Sequence, residues 1–318
     1  MDDPALQVMT VADSGLVDEV TLLLHGVKAV RGVSGLSEGR LRALHRASSD
    51  QGTQFLAVAA RDPSDGHLVA YAQVDDEGDR SYSNVELVTA STDASAGRLA
   101  DVLLDSVVAE FGAAGGGPLR LWVAQPQTRD DRRASSLGFT IERDLVQLRC
   151  TLPLAAVSSA RMAGPEATIR PFRVGEDEQA WLIANNRAFA EHPEQGHWDI
   201  TTIEAREREP WFDADGFRVL ELDGKLAGSC WTKIHANSDP PMGEIYAISV
   251  DPDHHGQGWG RVLTRSGLDW LAEQGLRTGM LYVDGANTAA MSLYRSMGFS
   301  TDHVDRSYVI DVPDARQA

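Results

Sequence analysis

The sequence predicts an α/β protein made of two similar halves, each a mixed, mostly antiparallel sheet flanked by helices. Three observations lead there. The chain repeats itself: Ser136-Leu-Gly-Phe139 recurs as Ser296-Met-Gly-Phe299, Leu87-Val88-Thr89 matches Ile248-Ser249-Val250, and Gly97 falls on Gly258. The second half alternates strand-period with helix-period patterns along its length. A glycine-rich turn, Asp251-Pro-Asp-His-His-Gly-Gln-Gly-Trp-Gly260, joins a strand-like run to an amphipathic helix.

Taken in order, the first half offers an alternating strand, Tyr82–Thr89, a long helix, Gly97–Phe111, a short polar helical pattern before Ser136, and alternating residues Asp144–Thr151. From Thr151 to Glu166 periodicity stops, and small residues gather around Pro153 and Pro165. Residues 153–165 are therefore expected to link a domain of residues 1–152 to one of residues 166–318. The second half reads as strand Ala167–Phe172, helices Glu176–Ala190 and Thr201–Glu209, and strand Phe217–Leu222. Asp223-Gly224 suits a hairpin turn, because both residues tolerate positive φ. Strands Leu226–His235 and Gly243–Val250 follow, then helix Gly260–Glu273, strand Thr278–Val283, helix Asn287–Met297 and a terminal strand pair that includes Asp305–Val312. Hairpin strands followed by a β-α-β-α-β tail imply a mixed sheet with helices on both faces.

Composition narrows the function. A chain of 318 residues can bury two cores, and 42% hydrophobic with 24% charged residues suits a soluble globular protein. No apolar run approaches the roughly 20 residues that span a bilayer. Met1-Asp-Asp-Pro4 lacks the basic-then-apolar order of a secretory signal, so a cytoplasmic protein is expected. Cys150 and Cys230 are too few for a disulfide framework and read as buried free thiols. The net charge of −18 is spread over both halves. Such a field disfavours nucleic acid and anionic membranes and mildly favours a cationic substrate. An anionic ligand would then need a local backbone cradle.

The glycine-rich turn could supply one. A strand, a glycine turn and a helix N-terminus together present bare N–H groups to a phosphate, and Gly256, Gly258 and Gly260 remove the Cβ atoms that would hinder approach. This turn, preceded by Val250-Asp-Pro252, resembles the signature of the GNAT superfamily of N-acetyltransferases, Gln/Arg-x-x-Gly-x-Gly/Ala. It falls on His255-Gly-Gln-Gly-Trp-Gly260, with His at the first position. Asn287-x-x-Ala290, then Tyr294 ahead of Met297-Gly298-Phe299, resembles a second hallmark of that superfamily. The resemblance implies two tandem GNAT domains and acetyl-CoA as co-substrate. Ile248, Ser249 and Val250 would take the pantetheine arm, and His255, Gly256, Gln257, Gly258, Trp259, Gly260 and Arg261 the pyrophosphate. Asn287, Thr288, Ala289, Ala290, Met291 and Ser292 would form the other wall.

Further stretches narrow the likeness. Asn185-Asn-Arg-Ala-Phe-Ala-Glu-His-Pro-Glu-Gln-Gly196 with Trp198, Trp211-Phe-Asp-Ala-Asp-Gly216, Trp231-Thr-Lys-Ile-His235 and Gly243-Glu-Ile-Tyr246 resemble the mycothiol synthase family of tandem acetyltransferases. The match is dense over residues 167–312 and thin before them, where Leu36-Ser-Glu38 is the main shared stretch. It implies transfer of acetyl to the cysteinyl amine of a cysteine–glucosamine–inositol conjugate. The implied roles are Glu244 as general base, Tyr294 as general acid, and Glu38, Glu194, Lys233, Glu244 and Tyr282 as acceptor contacts. The expected partner is that small molecule alone, with the protein monomeric and binding no nucleic acid, membrane or metal.

Acetyl transfer from a thioester to an amine needs a deprotonated amine, a stabilised oxyanion, a protonated leaving thiolate and two aligned substrates. Laying the halves side by side puts Glu244 on Ser83, Gly260 on Leu99 and Tyr294 on Ala134. The first half thus lacks the base, the acid and one glycine, and is expected to be non-catalytic; Leu87, Val88 and Thr89 with Gly97 could keep a weaker acetyl-CoA cradle. Three other readings are weaker. Gly256-x-Gly258-x-Gly260 lacks the dinucleotide spacing, and Pro193 spoils a helical zinc motif at His192–His197. An acyl-CoA-binding protein without activity would need neither Glu244 nor Tyr294. The remaining rival is an acetyltransferase for another small amine, such as an aminoglycoside.

Overall fold

Alternating side-chain direction along the strands decides where the helices pack. The computed structural model describes residues 5–31, 35–49, 55–75, 82–90, 94–155, 167–190, 196 and 198–316. They divide into two units, Met1–Asp144 with Val304–Ala318, and Leu145–His303.

The first unit runs β1 (Ala5–Met9), α1 (Ser14–Arg31), α2 (Glu38–Ser49), β2 (Leu56–Arg61), β3 (Leu68–Asp75), β4 (Ser83–Thr89), α3 (Ala94–Ala114), β5 (Gly117–Ala124) and α4 (Thr128–Ser136). On β2, Ala57 and Ala59 join the α1–α2 core with Leu16, Val20, Leu24 and Leu44. Val58 and Ala60 face the opposite way, into the core with Leu103, Leu104 and Val107 of α3. This period of two is what a sheet covered on both faces requires. Ladders join β1, β2, β3 and β4 antiparallel and β4 to β5 in parallel.

The second unit contains β7 (Ala167–Pro171), α5 (Glu178–Ala188), α6 (Ile200–Glu207), β8 (Phe217–Leu222), β9 (Lys225–His235), β10 (Met242–Val250), α7 (Trp259–Glu273), β11 (Thr278–Asp284) and α8 (Thr288–Ser296). β7 to β10 pair antiparallel and β10 meets β11 in parallel. Asp199 caps α6, its carboxylate accepting from Thr202 N at 2.8 Å, a bond worth about 1 kcal/mol. Leu263, Gly267, Leu268 and Leu271 form the buried stripe of α7. A Cβ on Gly267 would lie 2.6 Å from Cys230 Sγ and 2.9 Å from Ile245 Cδ1, so glycine sets the helix-to-sheet spacing. The opposite face carries an aromatic wall. Trp231 stacks on Phe217 at 4.3 Å and meets Trp181 edge-on at 5.9 Å, geometries that add about 0.5–1.5 kcal/mol per pair beyond area burial. Burial pushes the thiols of Cys150 and Cys230 up to about 12, which makes both inert core residues.

Two long strands depart from the expected layout. β6 (Thr140–Thr151) begins in the first unit, but Leu145–Thr151 pair with β11 in the second. β12 (Ser300–Val312) is one strand rather than a terminal pair, and Asp305–Val312 pair with β5 of the first unit. Each unit thereby receives its last strand from the other half of the sequence, so the units do not follow the expected boundary at residue 152. Unbroken alternation along both segments is compatible with one continuous strand, and alternation alone does not say which sheet completes it. Most other expected boundaries lie within three residues of the observed ones. The first helix of the second unit starts at Glu178 because Arg173–Asp177 form a turn, in which Asp177 N–H donates to Arg173 O at 3.0 Å.

Candidate active site

The site is assembled around β10 and the turn that follows it. Within β10 the register against β9 shifts between Ile245 and Ala247, leaving Tyr246 as the extra residue of a bulge. The parallel ladder to β11 covers Gly243, Glu244 and Ile245 only. Beyond that point the two strands part, and backbone groups of residues 246–250 on that side are not used in the ladder.

The turn is held from both ends. Asp251 accepts from Asp253 N at 3.0 Å, and Arg187 of α5 pairs with Asp251 at 3.1 Å and Asp253 at 2.9 Å. The His255 ring Nε2 donates to the Val250 carbonyl at 2.9 Å. Gly256 and Gly258 have φ of +76° and +88°, values that side chains other than glycine rarely adopt. A Cβ at either would meet nothing within 4 Å, so the space over them is open. Gly258 is the N-cap of α7 and supplies no side chain to the free N–H groups of the first turn. An anion fits here: open space, exposed helical N–H groups and the positive end of the helix dipole coincide.

The side chains expected to wrap that anion, and Asn287 of the expected opposite wall, are largely engaged in other bonds. Trp259 is buried and its indole N–H donates to Gln257 Oε1 at 3.1 Å. Arg261 Nη2 donates to Ser296 Oγ at 2.6 Å. Asn287 spends its Oδ1 on the N–H of Ala290, at 3.0 Å, as the cap of α8. The cradle is therefore one of backbone, and the histidine at the signature's first position braces it rather than reaching outward.

Glu244 lies in a row of residues that share one face of the sheet. Strand register places Lys233, Glu244, Met280 and Arg149 side by side on β9, β10, β11 and β6. Neighbours in such a row stand about 4.8 Å apart. Glu244 is 9% exposed and its Oε2 lies 2.7 Å from His235 Nε2. Lys233 is buried, with its ammonium 4.9 Å from the ring centre of Trp211 and 5.8 Å from that of Tyr246. Tyr282 stands one step further along β11 on the same face, 39% exposed, its hydroxyl accepting from Gln147 Nε2 at 2.6 Å. Tyr294, on α8, is buried, and that burial raises its pKa above the usual phenol value, so it stays protonated over the working pH range. Glu194 lies outside the described residues.

Glu38 and the Leu87–Thr89 segment belong to the first unit. Glu38 opens α2, exposed, 4.0 Å from Arg42. The register corrects one equivalence: Asn84 opposes Arg120 as Glu244 opposes Met280, and β4 has no bulge, so Glu244 falls on Asn84 rather than Ser83. Gly97 is corrected as well. It sits inside α3, three residues after Ala94, where a Cβ would meet nothing within 4 Å, and its carbonyl accepts from Arg133 at 3.1 Å. It is not the N-cap of its helix, because Ala94 to Ala96 already belong to α3. Three side chains of the second unit escaped the sequence reading: His235, Arg187 and Gln147. Only the period of two along β9, which puts His235 and Lys233 on one face, hinted at the first.

A sheet parted beside a bulge, with a glycine turn opening a helix, defines an acetyltransferase of the GNAT class. The acetyltransferase (GNAT) family model matches residues 180–299. The fold is similar to that of a GCN5-related N-acetyltransferase from Sphaerobacter thermophilus, with a TM-score of 0.72 at 19% identity over 97% of this chain and 96% of that one. It is also similar to a tandem GNAT protein from the clavulanic acid biosynthesis pathway, with a TM-score of 0.66 at 15% identity over 97% and 99%. In sequence, the chain is 36% identical to mycothiol acetyltransferase of Acidimicrobium ferrooxidans over 98% of this chain and 99% of that protein. It is 37% identical to the Streptomyces avermitilis enzyme of that name over 96% and 94%. The chain belongs to the mycothiol acetyltransferase family.

Proposed function

We propose that the second unit transfers acetyl from acetyl-CoA to the cysteinyl amine of a cysteine–glucosamine–inositol conjugate, the acylation that gives mycothiol. The observation that carries this reading is Glu244, set on the strand that parts from β11 and runs into the open glycine turn. Acetyl-CoA would bring a thioester whose acyl carbon accepts the amine. Gly256, Gly258 and the first turn of α7 would hold its pyrophosphate, and β10 backbone groups beyond the bulge its pantetheine arm and acetyl oxygen. Glu244 would take the amine proton, directly or through a water. Tyr294, kept protonated by burial, would give a proton to the departing sulfur.

Lys233 and Tyr282, which share the face of Glu244, would meet the hydroxyl-rich part of the acceptor, with Glu194 as a further contact. An α-amine has a pKa of about 7.7–8.0, so a sizeable neutral fraction exists near neutral pH and one carboxylate suffices as base. Asn84 and Ala134 stand where the second unit has Glu244 and Tyr294, which supports a first unit without chemistry of its own. A panel of amines tests the acceptor: the cysteinyl conjugate, its des-cysteinyl amine, free cysteine and an aminoglycoside, each followed by release of CoA thiol. The conjugate is expected to lead by at least about 10²-fold in kcat/KM, since acceptors that leave site polar groups unpaired lose about that much. A higher value for the aminoglycoside would overturn the assignment.

A further inference from the structure

We infer that His235 is a positioning residue for the Glu244 carboxylate, aiming one oxygen at the acceptor amine by holding the other. The inference rests on Glu244 being the base. It begins with the strands. His235 opposes Met242 and Lys233 opposes Glu244, so His235 and Glu244 are diagonal neighbours on one face of an antiparallel pair. Diagonal partners of this kind are within reach of a long side chain, and Nε2 of the ring lies 2.7 Å from Oε2 of Glu244.

Chemistry fixes the roles in that contact. An ionised carboxylate accepts only, so Nε2 carries the hydrogen and donates. At 9% exposure Glu244 has lost most of its water, and a buried carboxylate needs a donor in its place. His235 is the one side chain among the described residues that hydrogen-bonds it. The ring fixes the plane of the carboxyl group through Oε2 and leaves Oε1 for the amine. Without it the carboxylate turns about its own bonds, and a base misplaced by an ångström can lose about 10²-fold in rate. A histidine that acts only through the carboxylate moves kcat on removal and not the affinity for acetyl-CoA.

The test compares His235→Leu, which deletes the donor, with His235→Gln, whose side-chain amide reaches about as far as Nε2. His235→Asn keeps a small polar group but falls short, and serves if the leucine variant does not fold. Kinetics are measured with acetyl-CoA and the cysteinyl conjugate, alongside Glu244→Gln and the double variant. His235→Leu and His235→Asn are expected to lower kcat by about 10- to 100-fold with KM for acetyl-CoA within about 2-fold, and His235→Gln to recover most of the loss. Adding His235→Leu to Glu244→Gln should cost nothing more, because the two act as one unit. Wild-type kcat in His235→Leu, equal loss in His235→Gln, or a multiplied loss in the double variant would overturn the inference. If Glu244→Gln itself turned over normally, the base assignment would fail; a slow Glu244→Gln beside a fast His235→Leu would leave the base and remove only the positioning.

Discussion

The two units share a sheet order and differ where chemistry would happen. In the second, β10 bulges at Tyr246, the ladder to β11 stops at Ile245, and Gly258 opens α7 in a left-handed conformation. In the first, β4 pairs without a bulge, α3 starts before its glycine, and the cradle position is crossed by Arg133. That arginine pairs with Asp101 and with Asp130, the latter at 2.7 Å, and donates to Gly97 O. In the second unit the corresponding helix position is Leu293, which only touches the space beside Gly260, at 3.5 Å from a Cβ placed there. The faces diverge too. Where the second unit has its aromatic wall, the first has a buried polar network in which Arg40 pairs with Asp75 and Glu86, Ser37 donates to Glu86, and Gln73 links to Asp75. A fold held by alternating apolar strands tolerates either lining; a catalytic site tolerates one.

The sharpest way to break this comparison is Glu244→Gln, which gives the second unit the amide type that Asn84 gives the first. It should lower kcat/KM by about 10² to 10⁴ with acetyl-CoA affinity little changed. Wild-type turnover across the pH range would remove Glu244 as base. Next comes the pair Gly258→Val and Gly97→Ala. The first forces a branched side chain into φ of +88°, at about 1–2 kcal/mol of strain, and crowds the anion cradle; calorimetry should show acetyl-CoA binding weakened by about tenfold or more. The second fills a helix-interior glycine with open space around it and should stabilise by about 0.5–1 kcal/mol with turnover intact. Loss of activity in a folded Gly97→Ala protein would show that the first unit takes part.

Arg133→Leu copies Leu293 into the first unit. It should cost about 1 kcal/mol in denaturant unfolding, since Asp101 is half exposed and regains water, and leave kcat unchanged. The smallest effect concerns the helix ends. α2 ends in Ser49, whereas α6 ends in Glu207, whose pKa is raised to about 7 by burial and by Glu178. The folded state therefore keeps a proton that the unfolded chain gives up, and stability falls as pH rises from about 4.5 to about 7. Glu207→Gln should flatten that decline and unfold later than the wild type at pH 8. Parallel stability profiles for the two proteins would refute it.

Much of this was legible in the residues. The Asp-Gly hairpin, the glycine turn and the period-of-two strands each carry a local rule, and the elements appeared within a few residues of where those rules put them. The family resemblance names Glu244, Tyr294 and the turn glycines as a site, and the structure sets Glu244 on β10, the strand that runs into that turn. The bulge was not legible: a one-residue slip leaves no mark in β10 itself and shows only against β9, which is why repeat spacing alone sets Glu244 on Ser83. Repeat spacing likewise sets Gly97 at a helix start, whereas the helix begins at Ala94.

By itself, then, the sequence determined two halves of similar strand order, their helices and the position of a glycine turn at a helix start, because hydrophobic period and glycine conformation are local properties. Only the tertiary structure decided that β6 and β12 complete each other's units, that Arg187 ties down the turn, and that His235 meets Glu244. Those facts depend on strand register and on which sheet a strand joins. Register is a relation between distant segments, fixed when their side chains pack together, and no stretch of sequence carries it alone.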